Sequence, residues 1–152
     1  MPTTITDDQL QDNKHGKLIL KTRGICDDKF RWRYRTSCYH LSTKLFDHPA
    51  AIEYCQSFGA TLISIETIDE LKYIHRQLPI SGYVWTSGKI YENNGRYTWA
   101  SGVELPNDSQ MWDVGEPSIS SMTFCIRFSS RSLHGLDDYP CNRHYFALCE
   151  LQ

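Results

Sequence analysis

Six cysteines, Cys26, Cys38, Cys55, Cys125, Cys141 and Cys149, constrain this chain more than any other feature. None stands in the close Cys-x-x-Cys spacing of a zinc site, and an even, widely spaced set reads as disulfides. The competing reading is six reduced, buried thiols. Disulfides persist in oxidising compartments, so the expected location is secreted or extracellular. The opening Met1-Pro2-Thr3-Thr4 lacks the basic and apolar regions of a signal peptide, which reads as a mature or excised domain behind an added Met1. No apolar run reaches the length of a membrane span. A length of 152 residues predicts one domain, and a net charge of -2 with both signs dispersed argues against a nucleic-acid partner.

Residues 1–25 read as a flexible tail with a candidate short strand at 17–21, and residues 26–152 as the domain. In Lys29-Phe30-Arg31-Trp32-Arg33-Tyr34-Arg35, alternation puts Phe30, Trp32 and Tyr34 on one face and the cations on the other, the pattern of a half-buried hairpin strand. Its basic face suits an anionic partner such as a sulfated glycan, or simply discourages sheet-to-sheet pairing. A strand at 37–41 follows. Asp47 caps a helix with Pro49 in its first turn, running through Ala51, Ile52 and Cys55 to Gly59. After a short strand at 61–65, Thr67 and Glu70 form a capping box for a second helix with Ile68, Leu71, Ile74 and Leu78 on one face. Strands are expected at 83–88, 97–99, 124–128 and 146–150, with a hairpin turn at Asn93-Asn94-Gly95. The order strand, helix, helix, then strands only implies an α+β fold with two helices and mainly antiparallel sheets.

Between residues 102 and 124 no period of 2 or 3.6 is sustained, and a long irregular loop in a compact domain is commonly functional. It contains Trp112-Asp113-Val114-Gly115-Glu116-Pro117-Ser118, and Leu136-Asp137-Asp138-Tyr139-Pro140-Cys141 lies further on. Asp113, Glu116, Asp137 and Asp138 offer carboxylate oxygens and Ser118 a hydroxyl. Calcium takes about six to eight such oxygens in a tolerant geometry. Dispersed surface acids are the other reading. Trp85, Trp99 and Trp112 could stack on a sugar but are more commonly core at such positions, and Tyr139, beside Asp138, is the better exposed candidate ligand contact. Asn107-Asp108-Ser109 is a glycosylation sequon. No His-Glu-x-x-His, Gly-x-Ser-x-Gly or phosphate-cradling glycine motif occurs. A glycosidase pair of Glu116 with Asp137 or Asp138 is set aside, because the same residues serve calcium better, and the chain is read as a non-enzyme.

These residues resemble a C-type lectin-like domain over roughly 26–150. The resemblance rests on Cys55 with Gly59-Ala60-Thr61-Leu62, on Val84-Trp85-Thr86-Ser87-Gly88 at the family's Trp-Ile-Gly-Leu motif, on Trp99 and Trp112, and on Cys125, Cys141 and Cys149 in order. It implies pairing of Cys55 with Cys149 and of Cys125 with Cys141, while Cys26 with Cys38 marks the long form with an N-terminal hairpin. It also implies a cis Glu116-Pro117 bond. In sugar-binding members calcium is held by Glu-Pro-Asn, a later Glu before the cysteine, and an Asn-Asp pair, and two sugar hydroxyls complete the shell. Glu116, Pro117 and Asp138 match that pattern. Ser118 and Asp137 each replace an Asn, Thr123 stands where the later Glu is expected, and Leu136 replaces a Trp. Calcium and sugar are thus expected at Glu116, Ser118, Asp137 and Asp138, with Tyr139, from its place beside Asp138, as a candidate contact to the sugar. The partner class is glycans or glycoproteins; the alternative is a calcium-independent protein-binding module on the same fold.

Overall fold

The computed structural model describes residues 10–12, 14, 18–20, 26, 28–90, 95–118, 124–132 and 134–152. Most of the expected tail, Asn93, Asn94 and Thr123 lie outside them. Within the tail, β1 (Leu10–Asp12) and β2 (Leu18–Leu20) pair antiparallel as a separate ribbon. Lys14 does not read as a tail residue: its side chain is 6% exposed and its ammonium ion-pairs with Glu70 and Glu150.

The main sheet contains β3 (Trp32–Tyr34), β4 (Ser37–Phe46), β6 (Tyr83–Ile90), β8 (Phe124–Ser129), β9 (Leu136–Pro140) and β10 (Tyr145–Leu151). Their order is β3-β4-β10-β6-β8-β9; β5 (Thr61–Leu62) joins β10, and β7 (Tyr97–Thr98) joins β6. All these pairings are antiparallel except β10 with β6. The fold is α+β, as the residue pattern implied. The basic segment forms strand only at Trp32–Tyr34, because Arg35 turns the chain with φ 54° and Phe30 is buried before the strand begins. Two of its cations are taken up locally, Lys29 over the Phe58 ring at 3.7 Å and Arg33 through Nε to the Arg35 carbonyl at 2.8 Å.

Helix α1 (His48–Gln56) begins where the Asp47 carboxylate accepts from the Ala50 amide at 2.9 Å. It stops three residues before Gly59, whose φ of 73° suits glycine and carries the chain away. Helix α2 (Ile68–Gln77) begins with the Thr67 hydroxyl accepting from the Glu70 amide at 3.1 Å. The capping box is incomplete: the Glu70 carboxylate accepts from the Glu66 amide instead and turns into the buried polar group around Lys14. Trp85, Trp99 and Trp112 are core residues, 0, 1 and 6% exposed. Three disulfides close the fold, Cys26–Cys38, Cys55–Cys149 and Cys125–Cys141. Among the described residues no helix is long and apolar enough to cross a membrane.

Candidate functional site

The loop that carries Glu116 is held along the free side of β9. Trp112 forms a parallel bridge with Leu136, the Asp113 amide donates to the Leu136 carbonyl at 2.8 Å, and the Leu136 amide donates to the Met111 carbonyl at 3.1 Å. Trp112 anchors this run from beneath, its indole donating to the Pro106 carbonyl at 2.9 Å. Leu136, where a Trp was the family expectation, is fully buried. The chain then turns over Asp113 to Glu116, closed by the Glu116 amide on the Asp113 carbonyl at 3.0 Å, with Gly115 at φ 82°. The Glu116-Pro117 peptide is cis.

This geometry brings Glu116, Asp137 and Asp138 together: one carboxylate oxygen from each lies within 4.8 Å of the others. Asp113 stays outside the cluster, its Oδ1 accepting from the Val114 amide at 2.8 Å. Ser118 is exposed, and both its amide and its hydroxyl donate to Asp138 Oδ1, at 2.8 and 2.7 Å. The Tyr97 hydroxyl donates to Asp138 Oδ2. Tyr139 is less exposed than its place in the sequence suggested. Residues 136–140 form a strand, so alternation sends Asp138 to the side of Ser118 and Tyr97, and Asp137 and Tyr139 to the other. There Tyr139 is half-buried with its ring centroid 3.5 Å from the Arg127 guanidinium carbon.

Arg127 and Tyr97 are the site residues that sequence reading missed. Arg127 bonds Asp137 Oδ2 through Nε at 3.2 Å and Nη2 at 3.0 Å. Burial holds Asp137 above the ordinary carboxylate range, although Arg127 pulls the other way. Glu116 is pushed up to about 7, first by burial, then by a hydrogen bond to Asp138 and the charges of Asp137 and Asp138. Burial works to raise Asp138 as well, but hydrogen bonds from Glu116, Tyr97 and Ser118 outweigh it and hold the group at about 2. One proton shared between Glu116 and Asp138 thus relieves the repulsion that two ionised carboxylates would feel. Glu116 Oε2 remains buried without a hydrogen-bond partner. An orphaned buried oxygen beside two further carboxylates fits a hard divalent cation, with the rest of its shell left to water or ligand hydroxyls.

Residues 47–151 match the family model described as the lectin C-type domain. The mouse (Mus musculus) protein C-type lectin domain family 4 member E is 29% identical over 126 residues, 79% of this chain and 58% of that protein. This chain therefore spans little more than half the length of that relative. Among solved structures, TC14, a C-type lectin from the tunicate Polyandrocarpa misakiensis, superposes with a TM-score of 0.69 at 27% identity, covering 76% of this chain and 98% of TC14. A calcium-independent type II antifreeze protein shares the fold with a TM-score of 0.69 at 23% identity, covering 84% of this chain and 94% of that one.

Proposed function

Because this chain belongs to the C-type lectin domain family, we propose that it is an extracellular recognition domain that binds glycans or glycoproteins through calcium held by Glu116, Ser118, Asp137 and Asp138. The observation that carries this reading is the convergence of three carboxylates on a buried, unpartnered Glu116 oxygen. Calcium, when bound, supplies a hard cation with positions left for ligand hydroxyls. Glu116 and Asp137 offer it oxygens that the protein does not otherwise saturate. Tyr97 and Ser118 brace Asp138, and the Ser118 oxygen keeps lone pairs beside it. Ligand hydroxyls would donate to the carboxylates, while few side-chain donors return the bond. An ionised Asp137 only accepts, and each ligand oxygen left without a donor costs roughly 1 to 3 kcal/mol. Affinity for a single sugar is accordingly weak.

A calcium-independent protein-binding module is the second reading, favoured by the fact that both oxygens of Asp138 already accept hydrogen bonds from Tyr97 and Ser118. Calorimetric titration with calcium, with thermal unfolding of wild type and Asp138→Ala and magnesium as control, separates the two. Saturable binding that raises the wild-type midpoint and disappears in the variant supports the calcium site, and a glycan array with and without chelator then tests the ligand. No binding at millimolar calcium eliminates the first reading and directs the search to a protein partner.

A further inference from the structure

Arg127 lies on β8 directly opposite Asp137 on β9. Its neighbours Ile126 and Phe128 are fully buried, and Arg127 itself is 8% exposed, a setting that a guanidinium tolerates only when paired. The structure supplies the pairing. The rings of Tyr83 and Tyr139 lie 3.6 and 3.5 Å from the guanidinium carbon, and Nη1 donates to the Tyr145 hydroxyl at 2.6 Å. The remaining bonds both fall on Asp137 Oδ2, so Oδ1 is the oxygen of Asp137 that Arg127 leaves alone. The ion pair has no net charge. At the cluster, Asp137 acts as a neutral oxygen donor, much as an amide would, and a cation there can draw on the charge of at most two carboxylates, Glu116 and Asp138, rather than three.

We propose that Arg127 is the charge-setting residue of this site: caged by tyrosines, it neutralises Asp137 and keeps affinity for divalent cations low. The inference rests on the reading of the loop as a calcium site. Its physical basis is that calcium affinity in protein sites is tuned over orders of magnitude by the count of ligand charges, and extracellular modules sit at the weak end. Arg127 does not touch the ligand; it acts through Asp137.

The test titrates wild type, Arg127→Gln and Arg127→Lys with calcium by calorimetry, and follows thermal unfolding in chelator and at saturating calcium. Arg127→Gln is expected to bind calcium at least about ten-fold more tightly than wild type. Its midpoint in chelator should fall, because Asp137 is left unpaired, and calcium should recover it. Arg127→Lys keeps a cation in the cage and should retain most of the wild-type weakness. Should Arg127→Gln fail to fold, Arg127→Met fills the cage with an apolar chain and carries the same ten-fold expectation. A folded uncharged variant that binds no more tightly than wild type overturns the proposal, and so does an equal gain in Arg127→Lys. Calcium binding by the uncharged variant but not by wild type would refute calcium dependence of the natural domain while supporting Arg127 as the residue that silences it. Binding by neither overturns both.

Discussion

Acidification should remove a defined part of this protein's stability through His48. The side chain is 2% exposed, its Nε2 lies 2.7 Å from the Thr86 carbonyl oxygen, and its ring meets Trp85 edge-on at 5.1 Å. Nε2 therefore carries the hydrogen. Burial lowers the imidazole from 6.5 to about 4, opposed by the Thr86 carbonyl and reinforced by Lys89. The unfolded chain takes up a proton as the pH falls through 6.5, whereas the native state resists until about 4. The contribution is thus complete above pH 6.5 and is lost downward across that window, in all roughly 3 kcal/mol. Glu116 runs the other way: raised to about 7, it favours the native state as the pH falls. Subtracting a His48→Gln variant cancels that opposing contribution. Guanidinium unfolding with disulfides intact, at steps from about pH 8 to pH 4, gives the difference in stability between the two proteins. It should be constant at the alkaline end and shift by roughly 3 kcal/mol against wild type at the acid end. A difference that stays flat over the whole range would refute the reasoning.

Three further outcomes are expected. Calcium uptake should displace the Glu116 proton, so that affinity near pH 6 is roughly ten-fold weaker than at alkaline pH, and binding heats should differ between buffers of unlike ionisation enthalpy; identical heats near pH 6 would show that no proton is exchanged. Lys14→Met should cost about 3 to 5 kcal/mol at neutral pH by leaving Glu70 and Glu150 buried without their cation. The loss should shrink on acidification, because Glu70 is already raised by burial, and an unfolding free energy within about 1 kcal/mol of wild type at neutral pH would contradict it. Gly88→Ala places a Cβ 2.5 Å from Ile126 Cδ1 and 3.0 Å from Trp99 Cζ3, and should lower stability by about 1 to 3 kcal/mol; an unchanged thermal midpoint would mean that the core yields freely there.

What could be read from the residues was local. Asp47 and Thr67 announce helices because each reaches an amide only three residues ahead. The carboxylates of the candidate site were visible as residue types, but their partners were not. Tyr97 meets Asp138 across 41 residues, and Arg127 meets Asp137 across 10 through the pairing of β8 with β9, and no local period reveals either contact. Arg127 did leave a trace, a lone cation between Ile126 and Phe128 in a mostly apolar strand. The setting of Tyr139 was hidden for the same reason: its adjacency to Asp138 was plain, but its packing against Arg127 follows from the pairing of the strand with β8. That strand itself was hard to see, since Asp and Pro are poor strand formers and the register with β8 overrides their preference. Lys14 is the extreme case, a polar segment's cation seated between carboxylates that lie 56 and 136 residues away.

The position of β10 has a consequence for biosynthesis. The last strand to emerge occupies the middle of the sheet, hydrogen-bonded to β4, β5 and β6, and Cys149 within it must find Cys55 across 94 residues. Earlier segments leaving the ribosome can form their helices, but β4 has no partner on its inner side and Cys55 no native disulfide partner. Assembly is therefore delayed until translation has passed residue 151, and during that interval Cys55 is open to exchange with the nearer cysteines, Cys26 and Cys38. Yield should then depend on disulfide isomerisation, and a nascent chain halted before β10 would present an unpaired thiol and an open sheet edge to quality control.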